Sequence, residues 1–268
     1  MGKYVVHHII RKVPMRPKLF ALVAVAALSL LSLSAPANAS HSWNNYHWAR
    51  ASNPFTLQLG DNVDSRWDSY LVTTSADWTK STVLDTRIVA GAAKGRCRGT
   101  LGRVEVCNAA YGQTGWLGIA SINITDGTHI TQGTVKNNDT YFDTAKYNTP
   151  AWRNVVMCQE VGHTLGLDHQ DENFENADLG TCMDYSNNPD PNQHPNAHDY
   201  AQLQSIYSHT DTTTTVGAAV PGATSVESGN TPAAWGRLVE GSRAGGVSTY
   251  VRNDGDGNLT VTHVIWAR

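Results

Sequence analysis

Residues 159–169 read QEVGHTLGLDH, and the types and spacing in that line are those of a metal-dependent hydrolytic site. On a helix, side chains four apart lie about 40° apart around the axis, so Gln159 and His163 share a face and can grip one ion. Glu160 sits beside that face, where it can take a proton from a metal-bound water. Gly166 permits the left-handed turn that ends a helix, and the reversed chain brings His169 to the same ion. Three protein ligands leave a fourth position for water, the arrangement a catalytic zinc requires.

One ligand position is unusual. An amide oxygen is a harder donor than an imidazole nitrogen, so Gln159 weakens a zinc site and leaves Cu²⁺ or Mn²⁺ as alternatives. Other readings stay open: a water in place of Gln159, another histidine in its place, or no metal at all. His129, His194 and His198 are the reserve histidines, each read first as a surface or supporting residue.

Further along, Cys182-Met183-Asp184-Tyr185 follows the last ligand by some thirteen residues. With the motif it resembles the Met-turn of the metzincin metallopeptidases, and residues 40–210 resemble their secreted matrixin and gametolysin-like branches. Two further segments are similar to that family: Gly115-Trp116-Leu117-Gly118-Ile119-Ala120, and residues 196–207, similar to its last helix. The resemblance implies Gln159, His163 and His169 as metal ligands, Glu160 as general base, Met183 as the floor beneath the metal, and Tyr185 as an aid to the metal or oxyanion. It also implies an α+β fold: a twisted, mostly parallel sheet with an edge strand, an active-site helix, the Met-turn and a C-terminal helix. The activity implied is that of a zinc endopeptidase acting on extended peptide or protein substrates. The alternative is a secreted binding protein that keeps this shell around an impaired metal site.

The elements that must position these residues are partly legible. Thr149-Pro150 supplies a cap and a residue suited to the first helical position, so the motif helix is expected to begin there. Residues 53–59, 103–107 and 116–124 read as strands, and 75–89 as an amphipathic helix with Trp78, Val83, Leu84 and Ile88 on one face. The Thr-rich stretch 128–135 resembles the edge strand to which a metzincin substrate adds by backbone hydrogen bonds. Residues 211–233, rich in Thr, Gly and Ser, read as a linker, and 234–268 as a small β-hairpin tail docked on the main domain. Its turn, residues 253–257, is Asp- and Gly-rich but lacks the closing Glu of a calcium loop, so structural Ca²⁺ is not indicated.

The first 39 residues carry basic residues, a short apolar run and an A-x-A pattern ending at Ala39, the signature of a cleaved secretory leader. The leader holds five of the 20 Lys and Arg and no acidic residue, leaving 15 against 23 and a net charge of −8. Such a balance disfavours nucleic acid and anionic membranes and suits a soluble secreted protein, with a monomer as the expected state. Four cysteines in the remainder fit two disulfides in an oxidising compartment. Of three possible pairings, Cys97–Cys107 closes a Gly-containing hairpin and Cys158–Cys182 ties the motif helix to the turn after it, and this pairing is preferred.

Overall fold

A computed structural model describes residues 1–3, 40–92, 96–217 and 225–268; residues 4–39 of the expected leader and 218–224 of the expected linker fall outside these segments. The described strands are β1 (His47–Trp48), β2 (Phe55–Asn62), β3 (Leu84–Ala90), β4 (Val104–Ala109), β5 (Trp116–Thr125), β6 (His129–Asn138), β7 (Arg237–Ser242), β8 (Val247–Gly255) and β9 (Asn258–Trp266). The helices are α1 (Asp68–Trp78), α2 (Asp139–Phe142), α3 (Pro150–Thr164), α4 (Ala197–Ile206) and α5 (Pro232–Trp235). The fold is α+β around one mixed sheet of order β3-β2-β4-β6-β5-β9-β8-β7, with the short β1 pairing parallel to the start of β6. From β3 to β6 the pairing is parallel; from β6 through β5 and β9 to β7 it is antiparallel.

Alternation decides which residues face α3. On β5, Gly118 faces Val156 and Glu160 of that helix, and Ile122 and Ile124 join the main core with Val156, Met157 and Val161. The opposite face carries Ile119 and Trp116, packed with Trp235, Tyr250, Val264 and Trp266 in a second cluster. These tail aromatics bury the hairpin as part of the sheet, and residues 39–268 make one compact unit.

Three expectations need correction. Residues 75–89 are not one helix: α1 ends at Trp78 and β3 begins at Leu84, because Ile88 and Val89 are β-branched and pair in register with β2. Residues 128–135 are not an edge strand, since β6 runs between β4 and β5. Its polar side chains are buried beneath the connector to the tail. Gln132 Nε2 donates to the Val226 carbonyl at 2.8 Å, and Lys136 Nζ to Asn230 Oδ1 at 2.9 Å. The far side of β5 is covered in turn by β9, with Ala120 opposite His263. The tail is thus three strands of the main sheet rather than a separate docked hairpin.

Both disulfides have the preferred pairing, Cys97–Cys107 and Cys158–Cys182. They belong to an oxidising environment. Among the described residues, no helix is long and apolar enough to cross a membrane.

Candidate metal centre

Helix α3 starts where Thr149 accepts a hydrogen bond from the Trp152 N–H at 3.2 Å, with Pro150 at its first turn. It ends at Gly166, whose φ of +94° is a left-handed conformation. A Cβ on Gly166 would lie 2.1 Å from the Tyr46 carbonyl oxygen, so both the turn and the close approach require glycine. The reversed chain is held by the N-terminal segment: Trp43 N–H donates to the Gly166 carbonyl at 2.9 Å, and Asp168 N–H to the His41 carbonyl at 2.7 Å. His41 is anchored in turn, its Nε2 lying 3.1 Å from Asp199 Oδ1 on α4.

This reversal brings His169 beside His163, with ring centroids 4.5 Å apart. The third histidine is one the sequence analysis did not select. The ring of His263 of β9 lies tilted with its centroid 4.1 Å from that of His163 and 4.5 Å from that of His169, and one nitrogen of each ring lies within 4.8 Å of the others. His163 Nδ1 donates to the Leu167 carbonyl at 2.9 Å, which leaves the lone pair on Nε2. That Nε2, the His169 Nε2 and both His263 nitrogens are buried without a hydrogen-bond partner. Orphaned lone pairs at one point are the donor set a divalent transition metal requires, so these residues fit such an ion. Burial pushes the pKa of His163 down to about 4 and those of His169 and His263 well below the usual range, which keeps the rings neutral and able to ligate.

Glu160 is completely buried beside this cluster. Its Oε2 lies 3.5 Å from His263 Nδ1, and neither carboxylate oxygen has a hydrogen-bond partner. Burial raises its pKa well above the ordinary carboxylate value. Gly118 makes room for it, because a Cβ there would lie 2.7 Å from Glu160 Oε1.

Gln159 is on α3 as expected, but its amide is tied to the turn at Cys182–Tyr185 and not directed at the histidines: Nε2 donates to the carbonyls of Cys182 at 2.7 Å and Asp184 at 3.4 Å. Met183 is fully buried under the helix, close enough that a Cβ on Gly162 would lie 2.6 Å from its Sδ. Tyr185 covers His169, ring centroids 3.9 Å apart, and is itself covered by Phe174. Of the reserve histidines, none joins this cluster. His194 pairs with Asp77 at 2.6 Å, His198 stacks on His41, and His129 lies near Asp211. The signal for His263 was a lone histidine in an otherwise apolar, alternating strand, facing the same side as Val261 and Ile265; only the long-range register shows what it meets.

No family model, curated protein or solved structure matches the chain.

Proposed function

We propose that the chain is a secreted, zinc-type metalloendopeptidase held closed by its own β9. The observation that supports this best is Glu160: a fully buried, unpartnered carboxylate beside three converging imidazoles has no structural use but suits a general base. Zinc held by His163 and His169 would polarise a carbonyl and acidify water. Glu160 takes the proton of the water that attacks the peptide carbonyl carbon, and delivers it to the amide nitrogen as the C–N bond breaks. An extended peptide is the favoured substrate class, because β9 itself lies antiparallel on β5 and places one of its residues over the cluster. Substrate would replace β9 in this register. His263 then leaves, and Gln159, already on the correct face of α3, is the side chain available as third ligand.

One observation favours a second reading. The ligating nitrogens are shut off from solvent, so His263 could be a permanent ligand of a closed metal site in a binding protein. Casein cleavage and zinc content of the protein, its Glu160→Ala variant and its His263→Ala variant separate the two. The peptidase reading expects His263→Ala to raise cleavage while keeping some zinc, and Glu160→Ala, alone or combined with it, to abolish cleavage with zinc retained. Loss of zinc in His263→Ala with no cleavage in any variant would leave the binding protein.

A further inference from the structure

A second group of histidines lies away from α3, where three distant parts of the chain meet. His47 is in β1, His129 opens β6, and His209 and Asp211 follow α4. His47, His209 and Asp211 each offer a ligand atom within 4.8 Å of the others. The Nε2 atoms of His47 and His209 are 3.2 Å apart, and each is 3.6 Å from Asp211 Oδ1. His129 Nε2 approaches the same oxygen at 3.5 Å. Ligand atoms about 2.1 Å from a tetrahedral zinc ion lie about 3.4 Å from one another, so these separations are those of a zinc coordination shell.

The surroundings hold the donors in the required state. Asn45 offers a carbonyl oxygen 2.7 Å from His47 Nδ1, so that nitrogen must carry the proton and Nε2 presents a lone pair. Asp211 is anchored through its other oxygen: Oδ2 accepts from Arg50 Nη1 at 2.8 Å and from the Arg50 backbone N–H at 3.2 Å. Oδ1 is thereby left facing the imidazoles. A proton on His209 Nε2 would serve either the His47 lone pair at 3.2 Å or Asp211 Oδ1 at 3.6 Å, so one of these two acceptors is left over.

We infer that His47, His209 and Asp211, with His129 as the fourth ligand once its ring swings toward the other two, bind a structural zinc ion independent of the α3 cluster. Carboxylate and imidazole ligands at these separations suit a tetrahedral zinc ion, and four protein ligands make a closed site with no place for substrate. The ion would clamp β1 and the segment after α4 to the start of β6.

Zinc itself is the probe. Full-length protein dialysed against zinc and then against zinc-free buffer is analysed for bound metal beside the His163→Ala and His209→Ala variants; His209 is about half exposed, so its loss spares the core. The expected content is about two equivalents in the parent and about one in each variant, with both sites lost in the double variant. Cobalt substitution should give the visible spectrum of a tetrahedral ion in His163→Ala, absent once His209→Ala is added. The inference is overturned if His163→Ala holds no metal, or if folded His209→Ala holds as much as the parent. The first comparison needs no change at the new site, so misfolding of His209→Ala cannot rescue the proposal.

Discussion

Gly162 shows how tightly single residues are set at this centre. A methyl group there would fall 2.6 Å from Met183 Sδ and 2.7 Å from the Trp78 ring, both buried. Gly162→Ala should therefore cost about 1–3 kcal/mol through overpacking, even though alanine favours helix. Chemical denaturation would show it as a lower midpoint with unchanged slope; a stabilised variant would mean that the turn carrying Met183 yields freely. The same residue marks the limit of local reading. The spacing of Glu160, His163, Gly166 and His169 was visible because a helix and its exit turn fix those positions within eleven residues. The roles of Gly162 and His263 depend on contacts with Met183 and α3 that no local pattern encodes, and the amide of Gln159 is directed by Cys182 and Asp184 carbonyls far along the chain.

Among the elements, α3, β2, β4 and β5 were legible from caps and alternation, whereas α4 was expected from resemblance alone; the structure adds the reciprocal capping box of Asn196 and Asp199 at its start. The stretch 75–89 misled because Trp78, Leu84 and Ile88 satisfy a helical period while β-branched neighbours favour a strand; pairing with β2 decides it. β6 misled because buried polar side chains look exposed in sequence until the connector that satisfies them is known. β9 is bonded on both sides, and Thr262 is buried with its hydroxyl 2.9 Å from that of Ser121. Thr262→Pro removes a ladder donor from this inner strand. Amides of β7, β8 and β9 should then exchange faster by hydrogen–deuterium measurement while those of α3 stay protected. Uniform loss of protection would show instead that the tail and the body unfold as one.

At the scale of the molecule, the buried cation Lys136 couples body to tail. Its ammonium donates to the Ser228 carbonyl at 2.5 Å and to Asn230, and burial pushes its pKa down to about 8. The unfolded chain holds this proton more tightly, so between about pH 8 and pH 10.5 it binds more protons than the folded one and stability rises with pH. Below about pH 8 the penalty is complete, on the order of 3 kcal/mol. Stability curves of the protein and of Lys136→Met should diverge over that window, with the parent gaining relative to the variant as pH rises; parallel curves would place the ammonium in a better-solvated site.

The pairing of Ala120 with His263 also has a consequence in time. Strands β2 to β6 and α3 are close in sequence, whereas joining β5 to β9 closes a loop of about 140 residues, a contact that carries a large entropy cost and forms late. A folding chain should thus pass through an interval in which the parallel sheet and the histidines of α3 are assembled while the flank of β5 is still bare. In that interval any extended segment competes with β9 for the same backbone groups, and tethering gives the chain's own strand the higher effective concentration.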